Sequence, residues 1–212
     1  MIKNLFRSSV LLYQSRIFYS SFKKCILDAN YIPTDVLDVC GGDGSFCSLL
    51  MDGLVTRATN FDRNALCSNS SENTPIIVGD VFSYDFRSLR HSFDVVTFNN
   101  SWQLFPDHIW FVNLLCMLRP KYVFISCPTD HTLNSLRSLG YLENIEGSDF
   151  SNAVSQLQLS GYRLINGGFC GRSNYVTSRL SFLSHIILFK LFGLYSSKGN
   201  VYRYGFFERD NF

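Results

Sequence analysis

An aspartate and three glycines within seven residues form the stretch of the chain best suited to chemistry. Asp38 lies in the apolar run 36–39, and Gly41, Gly42 and Gly44 follow it. Glycines let a ligand approach the backbone closely, and a turn that leads into a helix presents backbone N–H groups. Because a carboxylate lies at the mouth of this turn, the stretch predicts a ligand that is cationic or bears hydroxyls rather than a bare phosphate.

Two of the strands predicted next also end in an acid. Asp62 follows the predicted strand 55–61 and lies 24 residues after Asp38, close to the distance at which a doubly wound fold places a ribose-binding acid. Asp80 ends the third predicted strand. The two oxygens of a carboxylate can accept from both hydroxyls of a ribose. Each acid has a structural alternative, since Asp62 also suits a helix N-cap and Asp80 a turn.

The predicted strands and helices alternate along the chain. The strands are predicted at 35–40, 55–61, 76–80, 93–98, 121–127, 161–169 and 202–208, and the helices at 4–28, 44–52, from residue 63, 107–118 and 150–159. Strands separated by helices indicate a parallel sheet that is covered on both faces. At 212 residues, the chain is predicted to be a single domain over 1–212.

The glycine turn belongs to a longer pattern that identifies a superfamily. Asp38, Cys40, Gly42 and Gly44 resemble D-x-G-x-G-x-G, the first motif of the class I S-adenosylmethionine-dependent methyltransferases. The other strand ends follow in this superfamily's order, so the resemblance covers roughly residues 34–128 and does not specify a subfamily. Cysteine replaces the first glycine, and because cysteine is small we expect the turn to survive if its φ angle stays negative.

The resemblance implies an α/β fold of the Rossmann-like kind. This is a three-layer α/β/α sandwich around a seven-stranded, mostly parallel sheet with an antiparallel strand 7. About thirty residues separate strands six and seven here, so we expect a helical insertion over 170–200. Residues 1–30 are expected to form a helical cap or, because they are basic, rich in serine and without an acid before Asp28, an organelle transit segment.

The resemblance also implies S-adenosyl-L-methionine as cofactor. Asp38 would lie near its methionine amino group. Asp62 would accept from the ribose hydroxyls, with Arg63 next to it in the same site. Asp80 would accept from the adenine amine, and Val81 would offer a backbone N–H to the ring.

The remaining cofactor contacts come from the turn and from the end of the fourth strand. The backbone from Cys40 to Gly44 would pass under the amino-acid and ribose portions. Asn99 would lie beside the transferable methyl, and Asn100 follows it in the same site. Trp102 would form the wall between cofactor and acceptor.

Catalysis by an enzyme of this superfamily needs few residues. Methyl transfer from a sulfonium mainly requires alignment of the nucleophile with the S–CH₃ bond. A base matters when the acceptor is a hydroxyl or an acidic carbon, and His131 is the candidate, with an exposed loop histidine as the alternative. Related small-molecule enzymes often have Leu-His-His after strand four, whereas this chain has Gln103 and Leu104, so no base is expected there.

The sequence favours a small, apolar or aromatic methyl acceptor, because the C-terminal third is rich in aromatic residues. Two alternatives stay open. One is an RNA cap or base methyltransferase, including those of viruses, although a net charge of +2 without a basic stripe makes nucleic acid the weaker partner. The other is a catalytically degenerate fold that serves as a partner protein, for which Cys40 is the main argument.

The apolar stretch 180–195 is too short for the roughly 20 residues of a membrane span. It fits a helix packed on the domain, a dimer seam, a peripheral membrane contact or a lid. The seven cysteines include no C-x-x-C pair and the four histidines are scattered, so no metal site is expected. Free thiols favour a cytoplasmic protein, with a mitochondrial location as the alternative if 1–27 is a transit segment.

Overall fold

The computed structural model describes residues 2–64, 74–101, 108–129, 150–172 and 200–210. Within them the helices are α1 (Ile2–Asp28), α2 (Ser45–Met51), α3 (His108–Leu118) and α4 (Phe150–Leu159), with one 3₁₀ helix at Phe86–Leu89. The strands are β1 (Asp35–Val39), β2 (Arg57–Asp62), β3 (Ile76–Val78), β4 (Val95–Asn99), β5 (Tyr122–Pro128), β6 (Tyr162–Arg172) and β7 (Asn200–Arg209).

The seven strands form one sheet in the order β3-β2-β1-β4-β5-β7-β6. β1 pairs in parallel with β2 and β4, and β3 and β5 extend the parallel part on either side. β7 runs antiparallel to both β5 and β6. The predicted sandwich class, with its mostly parallel sheet and antiparallel strand 7, is confirmed. The strand order reverses between β1 and β4, which is where open sheets of this kind bind ligands.

Helices cover both faces of the sheet and create two apolar layers. On one face, Phe22 of α1 contacts Phe46 of α2, Phe124 of β5 and Phe206 of β7, each edge to face. On the other face, α3 and α4 pack with the 3₁₀ helix. Because both faces are buried, the central strands β1, β4 and β5 are mostly apolar, and a polar residue within one of them stands out.

Most predicted element bounds agree with the structure to within three residues. The helical insertion predicted over 170–200 is wrong at both ends, since β6 continues to Arg172 and β7 begins at Asn200. Antiparallel pairing between β6 and β7 extends both strands further than their own apolar patterns indicate. Residues 63 and 64 are not helical, and the rest of the short helix predicted from 63 lies outside the described residues.

The described part of the chain contains no helix that is both long and apolar enough to cross a membrane. It also contains no cluster of three His, Cys, Asp or Glu side chains that could hold a metal ion. The segment 180–195, His131 and Trp102 lie outside the described residues. Their predicted roles therefore stay predictions.

Candidate functional site

A row of three polar side chains crosses the centre of the sheet, in a layer that is otherwise apolar. Asn60 of β2, Asp38 of β1 and Thr97 of β4 are register partners, and all three are completely buried. Oδ1 of Asp38 accepts from Thr97 Oγ1 at 2.7 Å and from Asn99 Nδ2 at 2.9 Å. Two donors therefore hold one oxygen of the carboxyl group and fix its orientation.

The second oxygen of Asp38, Oδ2, has no hydrogen-bond donor within reach among the described residues. Burial raises the pKa of Asp38 to about 7, against the hydrogen bonds from Thr97 and Asn99. The nearby acids Asp62 and Asp43 add to the rise. An ionised carboxylate oxygen without a donor is costly in a buried position. A proton on Oδ2, or a cationic ligand bound to it, would remove this cost.

Gly41 lies directly against this oxygen. A Cβ atom at Gly41 would overlap Oδ2 of Asp38 and Oδ1 of Asn60. Both oxygens therefore lie against Gly41, and only a residue without a Cβ atom fits there. Asn60 also holds the turn in place, because its Nδ2 donates to the carbonyl oxygen of Gly42 at 3.2 Å.

The glycine turn has three residues with left-handed backbone. Gly42 and Gly44 have φ angles of 63° and 74°, as their glycine identity allows. Cys40 has a φ angle of 58°, so the condition under which the turn was expected to survive is not met. The turn is retained because the N–H of Cys40 donates to the carbonyl oxygen of Phe61 at 2.8 Å and its side chain packs against the core.

Asp62, at the carboxyl end of β2, is tied to the glycine turn. Its Oδ2 accepts from the backbone N–H of Gly42 at 3.0 Å, and its Oδ1 accepts from that of Asn64 at 2.9 Å. The second bond forms a local turn, whereas the structural alternative for Asp62 was a helix N-cap, and residues 63 and 64 are not helical. Each carboxylate oxygen has a further lone pair, so both oxygens can still accept from a ligand.

Asp80, just beyond β3, forms an ion pair with Arg63. Nη2 of Arg63 donates to Oδ2 of Asp80 at 2.7 Å, and the backbone N–H of Phe82 donates to Oδ1 at 3.1 Å. The hydrogen bond from Phe82, followed by that from Arg63, lowers the pKa of Asp80. Asp80 is therefore ionised at neutral pH, and it holds the exposed guanidinium beside the end of β2.

Several solved structures of other proteins share this architecture. A SAM-dependent methyltransferase from Archaeoglobus fulgidus is 19% identical, with a TM-score of 0.61 over 90% of this chain and 94% of that chain. Magnesium protoporphyrin IX methyltransferase (ChlM) from Synechocystis PCC 6803, solved with bound SAH (S-adenosylhomocysteine), is 12% identical, with a TM-score of 0.60 over 94% and 84%. A methyltransferase in complex with the Haloferax volcanii Trm112 activator is 13% identical, with a TM-score of 0.60 over 90% and 89%.

This chain has the fold of the class I S-adenosylmethionine-dependent methyltransferases. No model of a protein family matches it, and no curated protein matches it either. The fold therefore rests on structure, at identities where the sequence of a neighbour indicates little about substrates.

The methyltransferase fold gathers most of the predicted site residues at one edge of the sheet. Hydrogen bonds link Asn99 to Asp38 and Asp62 to the glycine turn. Asn100 follows with a φ angle of 54°, and its N–H donates to the carbonyl oxygen of Ser126 at 3.0 Å. The side chain of Val81 is buried in the core, which leaves its backbone as the part available for a ligand.

Two residues of this edge were missed by sequence reasoning, namely Asn60 and Thr97. The signal was a polar residue inside a strand, two positions before the strand's carboxyl end. The sequence of one strand does not show that such a residue is aligned with Asp38 on the neighbouring strand. Phe61, next to Asn60 on β2, is completely buried in the core against Tyr84 and Phe86.

The thiol of Cys40 is unreactive in this methyltransferase fold. Burial raises the pKa of Cys40 to about 12, with further increases from Asp62 and Asp38. The thiol is therefore protonated at neutral pH, and a protonated thiol is a poor nucleophile. What distinguishes Cys40 from the glycine of the motif is its Cβ atom at a left-handed φ angle.

Variants of Cys40 measure this backbone strain. C40A and C40G both remove the sulfur and differ in the Cβ atom, which is unfavourable at a φ angle of 58°. We expect C40G to be more stable than C40A by about 1 kcal/mol in urea unfolding at pH 7. Equal stabilities would show that the turn does not strain residue 40.

Proposed function

We propose that this protein is an S-adenosylmethionine-dependent methyltransferase. The observation that carries the proposal is Oδ2 of Asp38, which is buried, has no donor among the described residues and lies against Gly41 in the glycine turn. An ammonium group satisfies such an oxygen, and the methionine end of S-adenosylmethionine carries one. The fold of a methyltransferase solved with bound SAH supports the same ligand.

The amino-acid end of the cofactor is assigned to the centre of the site. Asp38 would bind the ammonium group, and the backbone from Cys40 to Gly44 would pass beneath the amino-acid and ribose portions. Asn99 lies within hydrogen-bond distance of Asp38, which supports a place for it beside the reacting end. Thr97 would act only through Asp38, by holding its Oδ1.

The nucleoside end is assigned to the next two strand ends. Asp62 would accept from the ribose hydroxyls with the lone pairs that the glycine turn leaves unused. Asp80 and the backbone of Val81 would face the adenine, with Arg63 held beside it by its ion pair. Because three carboxylates line this edge, a ligand with bare phosphates is disfavoured.

The chemistry that follows needs little from the protein beyond positioning. When bound, the cofactor supplies a methyl group on a positively charged sulfur, which leaves readily. The protein binds and orients the reactants. For an acceptor with a hydroxyl or an acidic carbon, we propose His131 as the base.

We propose a small, apolar or aromatic acceptor. An aromatic content of 16% and a net charge of +2 support it over an RNA acceptor, which calls for a basic surface. Three acids retained at three strand ends speak against a degenerate partner protein. The stretch 180–195 is kept as a proposed dimer seam or peripheral membrane contact.

We further propose that the protein is cytoplasmic and that α1 is part of its working fold. None of the described cysteines is in a disulfide, which fits a reducing compartment. Phe18, Phe22 and Ile26 of α1 are buried against the sheet and α2, and this supports a helical cap over a transit segment.

Calorimetric titration with SAH tests the cofactor assignment. We expect SAH and S-adenosylmethionine to bind with micromolar dissociation constants. ATP and NADH serve as controls that share the adenosine but add phosphates, and we expect no binding of either. No heat from SAH at high micromolar concentration, or equal binding of ATP, would contradict the proposal.

The acceptor class is tested by methyl transfer from labelled cofactor to small aromatic compounds and to RNA. Transfer to the small compounds is expected to change little with salt. Transfer to RNA that falls steeply as salt rises would replace the small-molecule proposal with the RNA alternative.

A further inference from the structure

The groups that face the Asp38 carboxyl offer it no positive charge within the described part of the chain. β4 contributes the neutral donors Thr97 and Asn99, and both are directed at Oδ1. The charged groups whose fields reach Asp38 are Asp62 at the end of β2 and Asp43 in the glycine turn, and both are acidic. On β2, the residue paired with Asp38 is Asn60, and its side-chain amide is neutral.

The one guanidinium described near this edge is already engaged. Arg63 forms its ion pair with Asp80, which belongs to the nucleoside end of the site. An ionised Asp38 would therefore leave a negative charge in a completely buried position among other acids. Such a group takes up a proton instead, which agrees with the rise of its pKa to about 7.

We propose that Oδ2 of Asp38 carries a proton in the free protein and that the cofactor's ammonium group binds in exchange for it. The proposal rests on the proposed function and goes beyond it. On binding, the O–H bond at Oδ2 breaks, the proton leaves to the solvent, and the carboxylate pairs with the ammonium group. Below pH 7 one positive charge replaces another, so in that range the buried site holds no unpaired carboxylate.

The exchange has two consequences that simple ion pairing lacks. Cofactor affinity rises about tenfold per pH unit below pH 7 and levels off above it, since only the ionised carboxyl binds. A nucleoside without the amino-acid end binds without releasing a proton. The ligand 5′-methylthioadenosine is such a compound, because it keeps the adenine, ribose and sulfur.

Titration calorimetry in two buffers of different ionisation enthalpy, such as phosphate and Tris, counts the released protons. For SAH we expect about 0.9 protons released at pH 6 and about 0.1 at pH 8. For 5′-methylthioadenosine we expect none at either pH. Binding of SAH without proton release at pH 6 would overturn the exchange.

A second measurement uses the free protein and needs no ligand. Carboxyl ¹³C signals are followed from pH 4 to pH 9, and Asp38→Asn identifies the signal of Asp38 by its disappearance. We expect a midpoint near 7. A midpoint below 5 with normal SAH binding overturns the exchange alone. A midpoint near 7 without SAH binding overturns the proposed function, and the exchange with it.

Discussion

The variant Asp38→Asn is expected to lose SAH affinity by at least about 100-fold while the free protein becomes more stable at pH 8. An amide cannot pair ionically with an ammonium group, so binding is lost. The same change removes a buried acid that must ionise above pH 7. Function and stability are therefore expected to change in opposite directions at this position.

The pH dependence of stability follows from the direction in which the pKa of Asp38 moves on folding. That pKa is raised from 3.8 in the unfolded chain to about 7 in the folded one. Its stabilising contribution is thus complete below pH 3.8 and is lost as pH rises towards 7. The difference between the two pKa values corresponds to a loss of a few kcal/mol in the free energy of unfolding.

Urea unfolding of the wild type and Asp38→Asn at pH 5 and pH 8 measures this effect, and SAH titration measures binding. The exposed Asp52, just after α2, provides the control Asp52→Asn, which is expected to change neither. SAH binding by Asp38→Asn within about threefold of the wild type would show that the ammonium group is bound elsewhere.

The variant Gly41→Ala is expected to remove SAH binding and to lower the free energy of unfolding by about 1–3 kcal/mol. Its Cβ atom would overlap the oxygens of Asp38 and Asn60, which are held by Thr97, Asn99 and the strand register. This overlap also displaces the Asp38 carboxyl, to which we assign the ammonium group. Both effects arise from one atom.

Gly53→Ala is the matched control for this variant. Gly53 has a φ angle of 98°, and a Cβ atom there would meet no atom within 4 Å. It follows α2 and lies away from the glycine turn. We expect about 1 kcal/mol of destabilisation from backbone strain and unchanged SAH binding. Unfolding and titration of both variants separate loss of the site from loss of stability, and SAH binding by Gly41→Ala at wild-type affinity would contradict the assignment.

Much of the fold is predictable because its signals are local. Apolar runs that alternate with helical patterns gave the order of the elements, and turn residues marked most bounds to within three residues. β6 ends three residues beyond its predicted end and β7 begins two residues before its predicted start, because the extent of these strands depends on pairing across the sheet. Asp38, Asp62 and Asp80 each lie at or near the carboxyl end of a predicted strand. The sequence therefore also predicted that the three acids lie at one edge of the sheet.

The conformation of residue 40 shows the limit of local reasoning. Its small side chain was expected to fit the turn only if its φ angle stayed negative. The hydrogen bond from its N–H to Phe61 and the packing of its side chain on the core hold it at 58°. Both partners come from elsewhere in the fold, so the conformation follows from tertiary contacts.

The sequence was sufficient for the strand–turn–helix unit, the class of fold and the acids at three strand ends, because each depends on neighbouring residues. Only the tertiary structure determined the hydrogen bonding and the pKa of Asp38. Parallel pairing places Asn60 and Thr97 beside it, Thr97 and Asn99 donate to one of its oxygens, and the other lies buried against Gly41 without a donor among the described residues. Whether a buried carboxyl is ionised depends on every charge and donor around it, and those come together only when distant strands align.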